Sequence, residues 1–123
     1  MPRFVVQEHD ASKLHWDFRL ELDNVLKSWA IPKKPPIKPD IKRLAILVED
    51  HDLNYIDFEG EIPEGLYGAG TVKIWDKGTY EMDSRTDKKL VFYLNGKKLK
   101  GKYVLLKFEK AGENNWLFFK AKN

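Results

Sequence analysis

Leu14-His15-Trp16-Asp17-Phe18-Arg19-Leu20-Glu21-Leu22 decides the fold. Apolar and polar residues alternate without a break, placing Leu14, Trp16, Phe18, Leu20 and Leu22 on one side and His15, Asp17, Arg19 and Glu21 on the other. Period-two alternation over such a length marks a half-buried β-strand, because a helix would repeat every 3.6 residues. The polar side presents an imidazole, a carboxylate and a guanidinium in succession, spaced about 6.6–7 Å apart by strand geometry.

Upstream, Phe4 to Glu8 reads as a first strand with Val5, Gln7 and His9 on one face. The polar segment Asp10-Ala11-Ser12-Lys13 lets the chain reverse, which sets His9 beside His15. Two imidazoles and one carboxylate form a ligand set suited to Mn²⁺, Zn²⁺ or Fe²⁺, with positions left open for substrate or water. The plain alternative is a pair of surface histidines on a solvated face. Against it stand two facts: only three histidines occur in the chain and two fall here, and Arg19 adds an anion contact on the same face.

The 123 residues fit one domain, residues 1–123, with 42% hydrophobic content and four Trp, five Tyr and seven Phe excluding a disordered chain. Without cysteine there are no disulfides, zinc–thiolate sites or thiol nucleophiles. No apolar run is long enough to span a membrane and the N-terminus lacks a signal peptide's apolar region, so the expected location is cytoplasmic. Charge is mildly basic, 22 Lys plus Arg against 19 Asp plus Glu. The basic residues cluster at Lys33, Lys34, Lys38, Lys42 and Arg43 and at Lys97, Lys98, Lys100 and Lys102. Such clusters among aromatics suit a nucleic-acid partner, and a solvated lysine-rich surface is the alternative.

Asp23-Asn24 signals a two-residue hairpin joining the opening strand to Val25–Ile31. Pro32, Pro35, Pro36 and Pro39 then make a stiff extended loop. Further extended segments are expected at 43–49, 55–58, 71–76, 79–82, 90–94, 102–109 and 116–120, with turns at Asn95-Gly96 and Gly112–Asn115. At most a short helix fits the proline-rich stretch or 83–88. The glycines from Gly60 to Gly70 do not fit G-x-G-x-x-G and lead into a strand, so a dinucleotide site is rejected and tight turns are expected. About eight short strands with tight turns indicate an antiparallel β-barrel or sandwich.

Ser12, Ser28 and Ser84 lie in no nucleophile context, and nothing selects one carboxylate pair for acid–base work. His51, between Asp50 and Asp52 at a strand end, is placed to join His9 and His15 as a general acid or phosphate contact. Tyr55, Arg43 and Lys33 offer further donors to an anion.

At this point the chain resembles a known family. Gln7-x-His9, Leu14-His15-Trp16-Asp17-Phe18-Arg19-Leu20-Glu21, Leu26-Lys27-Ser28-Trp29-Ala30-Ile31-Pro32-Lys33 and Val48-Glu49-Asp50-His51 are similar to the signature of the 3′-phosphoesterase domain of bacterial and archaeal DNA ligase D. The likeness continues through Asp57-Phe58-Glu59-Gly60, Ile62-Pro63-Glu64-Gly65-x-Tyr67-Gly68-Ala69-Gly70 and Trp75-Asp76-x-Gly78-Thr79. The late strands match in character rather than motif.

The resemblance implies a mainly-β fold: a compact single-domain antiparallel β-barrel of about eight strands with little helix, bearing its site in a basic surface crescent. It implies a Mn²⁺-dependent hydrolase, with Zn²⁺ or Co²⁺ as substitutes, that removes a 3′-phosphate or a 3′-terminal ribonucleotide from primer–template ends to leave a 3′-OH. His9, His15 and Asp17 would hold the metal; Arg19 and His51 would contact the scissile phosphate, supported by Lys33, Arg43 and Tyr55, with Gln7 and Glu49 as further candidates. The implied partners are DNA or DNA/RNA 3′ ends and the ligase and polymerase of an end-joining pathway, with no membrane. Ligase-embedded members carry an arm before the first strand, whereas here Met1-Pro2-Arg3 precedes Phe4, so phosphate removal is expected more firmly than ribonucleotide removal. No ligase or polymerase module is present, which implies a stand-alone or excised domain.

Two other classes fit less of the pattern. A non-haem iron oxygenase would use His15, Asp17 and His51 but leaves His9 without a role. A non-catalytic nucleic-acid-binding barrel accounts for the basic loops but not for the alignment of histidines with Asp17.

Overall fold

Antiparallel strands carry most of the regular structure in the computed structural model, which describes residues 1–122. They are β1 (Arg3–Asp10), β2 (Leu14–Leu22), β3 (Val25–Ile31), β4 (Lys42–His51), β5 (Gly60–Ile62), β6 (Gly70–Arg85), β7 (Lys89–Asn95), β8 (Lys100–Lys107) and β9 (Asn115–Lys120). The order β1-β2-β3-β4-β9-β8-β7-β6 closes through pairing of β6 with β1, so eight strands form the barrel and β5 adds outside the first residues of β6. Among the described residues no helix is long and apolar enough to cross a membrane.

The β2–β3 hairpin turns where the sequence indicates. Asp23 and Asn24 take φ of 55° and 66°, the doubly positive geometry of the tight turn whose twist matches antiparallel strands. Several local readings differ. The segments 71–76 and 79–82 are one continuous strand, β6. Gly78 lies inside it because a Cβ there would run into the Asn95 carbonyl; the glycine serves a close strand approach, not a turn. Tyr55–Phe58 is not extended: Leu53–Asp57 is a 3-10 helix, started by the Asp52 carboxylate accepting from Asn54 N at 2.9 Å. An N-capping aspartate outweighs the strand preference of Tyr and Ile over so short a run. No helix forms at 83–88, where β6 runs on to Arg85, and β8 stops at Lys107 ahead of a second 3-10 turn at Glu109–Ala111.

Phe18 stands at the centre of the core, with ring centroids 4.7 Å from Phe118, 5.9 Å from Phe92, 6.1 Å from Phe4 and 6.3 Å from Trp29. Around it pack Trp16, Leu20, Tyr80, Tyr103 and Trp116. The proline-rich loop covers one edge, held by the Tyr103 hydroxyl donating to the Pro36 carbonyl at 2.8 Å. A second, smaller cluster lies outside the barrel: Val5 and Leu26 meet Ile56, flanked by Leu53, Tyr55 and Ile74. The chain after β4 therefore folds back over the outer face of β1, β2 and β3. That cover buries both faces of β2 from Trp16 to Leu20, where alternation alone indicated one.

Asp76 is the other buried acid of note. Its carboxylate accepts from the backbone N–H of Lys97 (2.9 Å), Lys98 (3.1 Å) and Leu99 (2.8 Å), and also of Lys77 (3.0 Å). It thereby ties β6 to the β7–β8 turn, at which a Cβ on Gly96 would strike the carboxylate. Replacing it leaves four backbone N–H groups, that of Leu99 buried, without this acceptor, so Asp76→Ala is expected to cost about 3 kcal/mol. Urea unfolding of the purified variant against wild type measures this, and an unchanged midpoint would remove Asp76 from the list of structural anchors.

Candidate metal centre

On the outer face of β1 and β2, antiparallel register pairs His9 with His15, Gln7 with Asp17 and Val5 with Arg19. The Asp10–Lys13 reversal thus brings the two histidines together, with ring centroids 4.8 Å apart. His9 Nδ1 lies 3.5 Å from Asp17 Oδ2, and His15 Nε2 lies 3.4 Å from Asp17 Oδ1. One ligand atom from each residue falls within 4.8 Å of the others. Bonds of about 2.0–2.2 Å to a shared ion place donors at comparable separations.

The remaining ring nitrogens fix which lone pairs face inward. His9 Nε2 contacts the Gly68 carbonyl at 2.7 Å, and His15 Nδ1 contacts the Lys13 carbonyl at 3.1 Å. A carbonyl only accepts, so these nitrogens carry the protons and the opposite ones turn bare lone pairs toward Asp17. Three acceptors aimed at one another repel unless a cation lies among them. A proton on His15 is one solution, and its hydrogen bond to Asp17 raises the His15 pKa despite burial. A divalent ion is the other, and the donor set fits it. Burial pushes the Asp17 carboxyl upward, but the His15 hydrogen bond and the charges of Arg19 and both histidines hold it below the usual value.

Next along the face, Arg19 is 3% exposed. Its Nε donates to Gln7 Oε1 at 2.6 Å, Nη1 donates to Ser28 Oγ at 2.8 Å, and Nη2 reaches Asp17 Oδ2 at 3.4 Å. The Tyr55 ring lies against the guanidinium, 5.0 Å from centroid to carbon. Arg19 Nη1 also meets His51 Nδ1 at 3.1 Å, while the Glu49 carbonyl lies 3.1 Å from the same nitrogen. Burial and the Arg19 charge push His51 below an ordinary histidine. Neutral His51 accepts from Arg19 at Nδ1 and keeps its proton on Nε2.

His51 reaches this face through a bulge. Leu26 pairs with His51 and Ser28 with Val48, so β4 carries one residue more than β3 between the two rungs. Without it His51 would share the inward parity of Ala45 and Leu47; the extra residue turns it outward. These groups border a cleft of about 560 Å³ with Glu49, Ala30 and Val48 on one side and Ile62, Tyr67 and Gly68 on the other.

His9, His15, Asp17, Arg19, His51, Tyr55 and Glu49 therefore line one cleft. Gln7 lies beneath it, fully buried, its amide donating to the carbonyls of Tyr55 (2.9 Å) and Phe58 (3.2 Å). Lys33 and Arg43 are not among the lining residues: Lys33 is exposed on the proline-rich loop, and Arg43 Nε donates to the Lys34 carbonyl at 2.8 Å. Ser28 and the Gly68 carbonyl are the members that sequence reading passed over. Ser28 was legible, because a two-residue turn at 23–24 forces Arg19 opposite Ser28. The Gly68 carbonyl gave no signal.

A family model described as the DNA ligase D 3′-phosphoesterase domain matches residues 7–107. The multifunctional non-homologous end joining protein LigD of Pseudomonas aeruginosa is 51% identical over 127 aligned residues. The corresponding proteins of Mycobacterium tuberculosis and Mycolicibacterium smegmatis are 45% and 41% identical. Each alignment covers 98% of this chain but only 15–17% of the relative.

Two outcomes test the site without any assay of turnover. Saturating Mn²⁺ is expected to stabilise wild type, by about 2.7 kcal/mol at a hundredfold excess over Kd, and to leave the melting temperature of His15→Ala unmoved. Because the ion displaces a proton from a histidine whose pKa is raised, that stabilisation fades as pH falls through the His15 value. Gln7→Ala, which unpairs Arg19 Nε and takes a donor from the carbonyls of Tyr55 and Phe58, is expected to cost about 2 kcal/mol in urea unfolding.

Proposed function

Since the chain belongs to the DNA ligase D 3′-phosphoesterase domain family, we propose that it is a metal-dependent hydrolase that heals DNA 3′ ends by removing a terminal phosphate to leave a 3′-OH. The observation that carries this reading is the adjacency, on the shared outer face of β1 and β2, of a three-donor metal set and a buried guanidinium. Mn²⁺ is the proposed ion and DNA or DNA/RNA primer–template ends the proposed substrates. Removal of a 3′-terminal ribonucleotide is proposed as a second activity. The ligase and polymerase functions of an end-joining pathway are the proposed partners.

His9, His15 and Asp17 would hold the ion, which when bound supplies positive charge against a phosphate oxygen and a coordination position for water. Arg19 is already oriented by Gln7 and Ser28, so it neutralises charge developing on the phosphate with little reorganisation. His51 donates from Nε2 to a phosphate oxygen, its imidazole kept neutral by burial and the Arg19 charge. Burial raises the Tyr55 pKa, so its phenol stays protonated as a third donor. Glu49 lines the cleft beside His51. Lys33 and Arg43, outside the cleft, are assigned to the nucleic-acid backbone beyond the reacting end.

The decisive assay uses a labelled primer–template ending in a 3′-phosphate, with and without Mn²⁺. Conversion to a 3′-OH is expected only with metal, and Asp17→Ala and His15→Ala are expected to fall to background while remaining folded. Full activity in a purified, folded Asp17→Ala protein would refute the ligand assignment. Salt-sensitive binding with no conversion by wild type would instead favour a non-catalytic binding module. A parallel substrate ending in one ribonucleotide reports the second activity.

A further inference from the structure

The cleft has two chemically different walls. One carries Arg19, His51 and Tyr55, with Glu49, Asp50 and Asp52 lining the cleft beside them. The other is the stretch from Ile62 to Gly68, whose lining members Ile62, Tyr67 and Gly68 carry no charge. An uncharged wall offers a phosphate no partner, whereas the Tyr67 ring offers a nucleobase an aromatic face. At the tip of this wall Tyr67 is 96% exposed while lining the cleft, with Leu66 also exposed beside it.

The tip is held in register with the metal set. Leu66 N donates to the Pro63 carbonyl at 3.3 Å and Ala69 N to the Leu66 carbonyl at 3.1 Å, so two successive turns frame Tyr67. Gly65 and Gly68 take φ of 90° and 77°, conformations that favour glycine. The Gly68 carbonyl then binds His9 Nε2 at 2.7 Å. The Cα of Tyr67 is one peptide step, about 3.8 Å, from that of the residue fixing His9. The exposed ring therefore stands at the same end of the cleft as the metal set.

Building on the phosphoesterase reading, we infer that Tyr67 is a stacking platform for the terminal nucleobase of the strand whose 3′ end is being healed. The site then recognises a base-bearing 3′-phosphate rather than any phosphate monoester. Stacking accepts all four bases, since each offers a π face. It discriminates against a terminal sugar that has lost its base.

The test compares two Mn²⁺-dependent substrates: a primer–template with 2-aminopurine as the 3′-phosphorylated terminal nucleotide, and the same duplex with a base-less terminal sugar. For wild type, the base-less end is expected to show a KM about tenfold higher, within the range that one stacked base provides. Tyr67→Ala should raise KM for the base-bearing end by the same factor with kcat changed little, and leave the base-less end unaffected. Tyr67→Trp should restore the difference, and 2-aminopurine quenching on binding should be lost only in the alanine variant. Equal KM changes on both ends, or quenching that persists in Tyr67→Ala, would overturn the platform while leaving the phosphoesterase intact. Hydrolysis of neither substrate by wild type would overturn both readings together.

Discussion

A guanidinium that is 3% exposed stands where the barrel's outer face would ordinarily meet water. A charge so placed is costly unless its donors are paired, and the pairing of Arg19 recruits much of the molecule. Gln7 comes from β1, Asp17 from Arg19's own strand, Ser28 from β3, His51 from the bulged end of β4 and Tyr55 from the 3-10 helix. Gln7 faces both ways, accepting from Arg19 and donating to the carbonyls of Tyr55 and Phe58. The covering segment is thus fastened to the barrel by the amide that orients the cation. Assembly of the cleft and burial of Arg19 are one event.

The strand beneath couples this polar layer to the core. Asp17 and Arg19 alternate with Trp16, Phe18 and Leu20, so a one-residue slip of β2 would exchange carboxylate and guanidinium for the central aromatic rings. The contacts of Phe18 with Phe118 and Phe92 on β9 and β7 hold register from inside, while the His9–His15 pair holds it from outside. Core packing and donor geometry specify the same pairing, which is the agreement between levels that marks a well-determined fold.

Much of this was legible from residue order. Alternation from Leu14 to Leu22 gave β2 and its two faces. The reversal at Asp10–Lys13 brought His9 to His15, and the Asp23-Asn24 turn fixed the register that sets Ser28 against Arg19. Closure into a barrel matched the count of strands. The features that escaped depend on tertiary context. The β4 bulge that turns His51 outward changes parity by one residue and leaves no pattern in composition. Arg43 was legible as a donor to an anion, but its bond to the Lys34 carbonyl depends on the path of the proline-rich loop. Tyr55 was read as strand from its β preference, whereas Asp52 caps a 3-10 turn that lays the ring on Arg19. The strand reading concealed how Tyr55 reaches the cleft.

The outward position of the centre follows from barrel size. Eight strands enclose an interior just wide enough for side chains, and here Phe4, Phe18, Phe92 and Phe118, with Trp29 and Trp116, occupy it. No lumen remains for an ion, a phosphate and water. A polar site on such a scaffold must use the outer face, where strand rigidity fixes the donors but water would screen every charge. The excursion after β4 removes part of that water: Ile56, Leu53 and Tyr55 pack on Val5 and Leu26. Its far limb supplies the Gly68 carbonyl that selects the His9 tautomer. Rigid strands position the ligands, and one covering segment provides both the drier surroundings and the tautomer control that the barrel itself does not supply.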